Sequence, residues 1–112
     1  MDQTFETKII KIYVTPSGEA PFRKWFDSLD YSIRIRLDNR LLRLTQGNFG
    51  DCASVGEGVF ELRFFFGSGF RIYFAEYGGC FIFLLYGGDK HIQSRDIQKA
   101  KEYWRQFKES IQ

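Results

Sequence analysis

Two cysteines, one histidine and one methionine in 112 residues leave little room for several common chemistries. Cys52 and Cys80 are too few and too badly spaced for a zinc site, so no metal or other cofactor is expected. Both thiols are expected to stay reduced, in a cytoplasmic protein. The start, Met1-Asp2-Gln3-Thr4, lacks the basic-then-apolar pattern of a signal peptide. No long hydrophobic run occurs either: the longest, Cys80 to Tyr86, is far too short to cross a bilayer, so no membrane association is expected. A formal charge of +2 is too small to imply nucleic-acid binding by itself, and any such reading must rest on where the arginines sit. The length suits one domain, residues 1–112, with a modest core that needs neither disulfides nor metal.

What the chain does have is phenylalanine, 13 in all, and core filling accounts for most of them. The densest stretch, Val59 to His91, reads as a three-strand antiparallel meander ending in the polar loop Gly87-Gly88-Asp89-Lys90-His91. A three-residue turn at Gly67-Ser68-Gly69, with Gly69 left-handed, would set Arg63 opposite Tyr73 and Phe65 opposite Arg71. A two-residue hairpin at Gly78-Gly79 would set Tyr77 opposite Cys80 and Arg71 opposite Tyr86. Arg63, Arg71, Tyr73 and Tyr86 then share one polar face, with neighbouring side chains roughly 5 Å apart. The other face, Phe60, Leu62, Phe64, Phe70, Ile72, Phe74, Phe81, Phe83 and Leu85, is wholly apolar and should be the core.

Lys8 to Val14 alternates and reads as a first strand near a sheet edge. Pro21 suits a first helical position, with Phe22, Trp25, Phe26 and Leu29 on one stripe. Asp30 is placed to cap a second helix, where Ile33, Leu37, Leu41 and Leu44 form the buried line. Arg36, Arg40 and Arg43 make a basic ridge beside that line, either a solvated face or a binding surface. Gly47 ends the helix, and Asn48 to Gly58 reads as a loop. Ile97, Ala100, Trp104, Phe107 and Ile111 recur at helical spacing, so a last amphipathic helix should pack on the sheet.

Several segments together resemble the toxins of bacterial type II toxin-antitoxin modules in the RelE/ParE superfamily, in the HigB-like addiction module killer protein branch. The likeness runs from about Pro21 to Trp104. It rests on Trp25-Phe26-Asp27-Ser28-Leu29, Gly47-Asn48-Phe49-Gly50-Asp51, Val55-Gly56-Glu57-Gly58-Val59, Glu61-Leu62-Arg63, Gly69-Phe70-Arg71-Ile72-Tyr73-Phe74, Gly87-Gly88-Asp89-Lys90, and Asp96-Ile97 with Ala100-Lys101. The resemblance implies an α+β fold, a helical hairpin on a small, mainly antiparallel, curved sheet in the order β-α-α-β-β-β-α. It also implies ribosome-dependent cleavage of messenger RNA in the A site and neutralisation by a cognate helix-turn-helix antitoxin. Ribosome-dependent relatives carry two lysines on the strand that here holds Glu61 and Arg63. This chain keeps one cation there and replaces the other with a carboxylate.

Metal-free cleavage of RNA uses the neighbouring 2′-hydroxyl as nucleophile, and so needs a base, cations for the phosphorane charge, and an acid for the departing 5′-oxygen. Arginine cannot transfer that proton, but its planar fork suits phosphate, so Arg63 and Arg71 are read as charge-stabilising groups. Asp89, Lys90, His91 and Tyr86 are the candidates for proton transfer; of these His91 requires no tuning. Tyr73 is a candidate for base stacking; Glu61, Arg36, Arg40 and Arg43 complete the expected substrate contacts. Two other readings compete. A ParE-like toxin would poison DNA gyrase without a nuclease site, and a degenerate toxin would survive as a repressor partner. An RRM-type RNA module fits poorly, because the order of elements is wrong.

Overall fold

In a computed structural model the protein is described over residues 7–112. The Met1–Thr4 stretch read above for a signal pattern lies outside the described residues. Pro21 opens helix α1, Pro21–Asp27, at its first position, where a missing N–H breaks no helical bond. Helix α2, Tyr31–Thr45, follows at once and buries Leu37, Leu41 and Leu44 on one stripe. Asp30 does occupy its N-cap, yet the side chain makes no capping hydrogen bond. Gly47, with φ 83°, turns the chain out of the helix. The described residues also include helix α3, Gln93–Ser110, preceded by a short 3₁₀ turn, Lys90–Ile92.

The class is α+β, with a five-stranded mixed sheet and three α-helices. The strands are β1 Ile9–Ile12, β2 Cys52–Gly56, β3 Val59–Arg63, β4 Phe70–Tyr77 and β5 Phe81–Asp89. Their order is β1-β5-β4-β3-β2. The first strand runs parallel to β5, and the remaining pairs are antiparallel. The expected edge position of the first strand holds. The expected loop at 48–58 does not, since Cys52–Gly56 forms a strand on β3. Its half-exposed residues carry little apolar signal, because an edge strand buries only part of one face.

Register differs from the expectation in three places. The β3–β4 connection is Phe65–Gly69, five residues rather than three, so Arg63 opposes Arg71 and Glu61 opposes Tyr73. An odd loop of either length keeps the same faces together, which is why the grouping of side chains on these two strands survives. Gly69 is left-handed as expected, at φ 77°. The β4–β5 turn is Gly78–Cys80, three residues rather than two, so Tyr77 opposes Phe81 and Phe74 opposes Leu84. A shift at Leu85 then sets Tyr73 opposite Tyr86 and Arg71 opposite Gly88.

The consequence is a sheet packed on both faces. One layer joins Phe22, Phe26, Leu37, Leu41 and Leu44 to Leu62, Phe64, Phe70, Ile72, Phe74, Ile82 and Leu84. The other places Val59, Tyr73, Ala75 and Leu85 under Ala100 and Trp104 of α3. Phe83 and Leu85, grouped from sequence with Phe60, Leu62, Phe64, Phe70, Ile72 and Phe74 on one core face, therefore lie in the α3 layer on the other side of the sheet. Ile82 and Leu84 take their place, and Phe81 is in neither layer. Each fully buried leucine contributes about 1.5–3 kcal/mol. Ile111 lies just past the end of α3 and is 48% exposed, outside the expected apolar stripe. No described helix is long and apolar enough to cross a membrane.

Candidate functional site

The end of β3, the start of β4 and the end of β5 meet at one end of the sheet, and most of the candidate residues lie there. Arg63 and Arg71 are direct cross-strand partners on the same face. Glu61, also on that face, is buried and gathers the group. Its Oε1 is 3.1 Å from Arg63 Nε and 3.8 Å from Arg71 Nε. Its Oε2 accepts from the Tyr73 hydroxyl at 3.2 Å and from the side-chain amide of Gln93. The two oxygens thus face two guanidinium groups, a hydroxyl and an amide from β3, β4 and α3.

The face is less open than the sequence suggested, because α3 covers its centre. Tyr73 is 0% exposed, and burial followed by the Glu61 charge and hydrogen bond pushes its phenol far above the usual range. Neither Tyr73 nor Glu61 can touch a substrate in this arrangement, against the expected substrate contact. Arg71 is 11% exposed along its side chain and aims Nη1 at the carbonyl oxygens of Phe64, Gly69 and Phe70, at 3.4, 3.2 and 3.1 Å. Its expected partnership with phosphate is thus replaced by a clamp on the β3–β4 loop. Arg63 keeps 36% of its side chain exposed and is the cation of this face that meets solvent.

At the end of β5, where Asp89 pairs with Phe70 of β4, the 3₁₀ turn presents Lys90 and His91, both exposed. Asp89 caps this turn, its Oδ1 accepting from the His91 backbone N–H at 2.9 Å. Lys90 lies across from Gly69, where an added Cβ would sit 3.0 Å from Lys90 Cδ, so the turn and the β3–β4 loop are in contact. Tyr86 is half-buried between Tyr103, with ring centroids 5.9 Å apart, and Lys99, whose Nζ is 5.5 Å from its ring. Arg36, Arg40 and Arg43 lie apart from this face, against Phe64, Phe65 and Phe66. Among the described residues no group of three or more His, Cys, Asp or Glu side chains could hold a metal ion.

One residue escaped the sequence reading, and a second entered it only among the segments of the resemblance, with no role. Gln93 reaches Glu61 from the first turn of α3, and nothing in its local pattern marks it. Asp96 is fully buried against β5, with neither carboxylate oxygen hydrogen-bonded. A Cβ at Gly88 would lie 1.9 Å from Asp96 Oδ2, so only glycine admits this approach. Burial pushes the Asp96 carboxyl up, Arg95 and Lys99 oppose this, and Asp89 adds to it.

No family model matches the chain. An uncharacterized protein of Haemophilus influenzae is 42% identical over 81 residues, which cover 71% of this chain and 82% of that protein. The chain belongs to that protein's family. The family thus shares most of its length, while its activity has to be argued from the site.

Proposed function

We propose that this protein is the toxin of a type II toxin-antitoxin module, a HigB-like member of the RelE/ParE superfamily that cuts messenger RNA on the ribosome. The observation that carries the reading is the pairing of Arg63 with Arg71 on one face, next to the exposed Lys90–His91 turn. In this reading Arg63 holds the scissile phosphate and His91, with Lys90 or Asp89, moves the protons. The 2′-oxygen attacks the adjacent phosphorus while its proton passes to the base, and the 5′-oxygen leaves with a proton from the acid. Arg71, held by Glu61 and three carbonyls, is a positioning residue. So few exposed groups cannot orient RNA unaided, which fits dependence on the ribosome. A helix-turn-helix antitoxin is the expected neutralising partner, and the cytoplasm the expected compartment.

Purified protein should cut message in a translating extract and leave naked RNA almost intact. Arg63→Ala should abolish cutting, with the fold retained because the side chain is part-exposed. A second reading draws on the burial of Tyr73 and Glu61, which leaves few groups of this face free for chemistry. A ParE-like gyrase poison needs no such groups. Growth arrest with gyrase-linked DNA breaks and intact message would favour it.

A further inference from the structure

Three consecutive phenylalanines, Phe64 to Phe66, meet three different environments. Phe64 is buried and Phe66 half-buried, whereas Phe65 is 78% exposed at the end of the sheet. Helix α2 lays Arg36, Arg40 and Arg43 beside them on one helical face. The Arg36 guanidinium carbon is 3.5 Å from the Phe66 ring centroid, and that of Arg40 is 4.8 Å from the Phe64 centroid. Arg40 is fixed further by donating to Arg63 O at 3.1 Å and to Asp51 O at 3.4 Å. None of the three arginines forms an ion pair among the described residues. An open depression of about 300 Å³ lies between the arginines and the rings.

Packing on a ring restricts the Arg36 and Arg40 guanidinium groups without pairing either with a carboxylate in a salt bridge, while Arg43 stays exposed on the same helical face. A large ring left 78% in water beside such a set is not part of the core. We propose that this arginine–phenylalanine face binds an unpaired segment of RNA, a nucleobase stacking on Phe65 while Arg36, Arg40 and Arg43 hold the adjoining phosphates.

The inference rests on the RNA-directed reading above and adds a second contact surface to it. Base stacking requires an accessible ring face and is tolerant of sequence, and a basic groove beside the ring follows the backbone. Duplex RNA hides its base faces, so it should not compete. An acidic protein is the other chemistry that three arginines without a salt-bridge partner among the described residues fit. A single exposed ring, however, supplies little of the apolar centre that a stable interface of roughly 800 Å² per partner requires. Arg71 gains a role here as well: by holding the loop carbonyls it keeps Phe65 displayed.

The test is fluorescence anisotropy with a short labelled single-stranded RNA and, separately, a blunt RNA duplex, at low salt. The single strand should bind wild type in preference to the duplex, and Phe65→Ser should weaken it roughly tenfold or more. Phe65→Trp should keep binding, with its added indole emission quenched by RNA. Arg43→Gln should lower the salt slope by roughly 0.7, the loss of one phosphate contact on a single strand. Thermal unfolding of Phe65→Ser should match wild type, because the ring lies in solvent. Equal binding by wild type and Phe65→Ser, equal binding of duplex, or binding only of an acidic protein overturns the inference. Single-strand binding that depends on Phe65, with message left intact in a translating extract, would overturn the nuclease reading alone. Message cut equally by wild type and Phe65→Ser, without single-strand binding, would overturn this inference alone.

Discussion

Arg63 stands directly across from Arg71 on neighbouring strands, and the Glu61 carboxylate reaches both, at 3.1 and 3.8 Å. Two adjacent cations inside a sheet are tolerated because a buried anion lies with them. Removing that anion while keeping its shape isolates the electrostatic contribution. Glu61→Gln should destabilise the fold by roughly 3 kcal/mol, the lower end for breaking a buried pair because Arg63 is part-solvated. Thermal unfolding should shift down by roughly 10 °C or more. An unchanged midpoint would mean that the cluster does not brace this end of the sheet.

Arg71 and lysine carry the same charge but not the same geometry. The planar fork of Arg71 lies 3.8 Å from Glu61 at Nε, an ion-pair distance without a hydrogen bond, and meets the loop carbonyls through Nη1. A lysine can supply one point of contact in place of this spread. Arg71→Lys should therefore keep the fold but release the Phe65–Gly69 loop. Limited proteolysis should cut at this loop faster than in wild type, and amide exchange at Gly69, whose N–H donates to Phe66 O, should accelerate. Equal rates in the two proteins would remove the clamp from the account.

Asp96 makes stability depend on pH with an unusual sign. Burial raises its folded pKa above the ordinary 3.8, so between the two values the folded chain holds a proton that the unfolded chain has lost. Its contribution is thus full below about pH 4 and declines as pH rises through the folded value, opposite to a salt-bridged carboxylate. Asp96→Asn removes the titration at similar volume. Urea unfolding at a series of pH values should show the variant gaining on wild type as pH rises from about 4. A constant difference across the series would show that the carboxyl does not titrate in this window.

Much of the fold was legible because apolar spacing reports burial directly. Phe22 and Phe26, Leu37, Leu41 and Leu44, and Ala100 and Trp104 all fall on the stripes that the spacing predicts. Alternation also groups Arg63, Arg71, Tyr73 and Tyr86 on one face, although Tyr86 arrives there through the shift at Leu85. Loop length was not legible, since Phe65 and Phe66 look like strand residues when only hydrophobicity is counted. The covering of the polar face by α3 was hidden for a related reason. Tyr73 and Glu61 read as polar, but a hydroxyl and a carboxylate that satisfy each other can be buried together.

The two glycines at the end of β5 answer to different neighbours on opposite faces of the sheet. A Cβ at Gly87 would lie 2.1 Å from Cε3 of Trp25, part of a rigid ring that must move as a whole. Gly87→Ala should destabilise by about 1–3 kcal/mol, as overpacking does, and push Trp25 outward. Trp104 is the chain's other tryptophan and stays buried between α3, which carries it, and the sheet, so a red shift in emission reports on Trp25. Unshifted emission with unchanged stability would contradict the close approach.

His91 separates proton transfer from everything else that this end of the molecule does. Its side chain is exposed, and its backbone N–H, not its ring, donates to the Asp89 cap. Alanine keeps that backbone bond, so His91→Ala should leave thermal unfolding and single-strand binding at wild-type values. If the imidazole takes or gives a proton in the cleavage step, message cutting in a translating extract should fall by roughly 10²- to 10⁴-fold. A fall of that size with binding intact assigns the proton to His91. Cutting that persists at the wild-type rate would move it to Lys90, Asp89 or Tyr86, the other groups on this rim able to exchange one. Of these Lys90 is the exposed neighbour in the same 3₁₀ turn, so Lys90→Met is the variant that then decides.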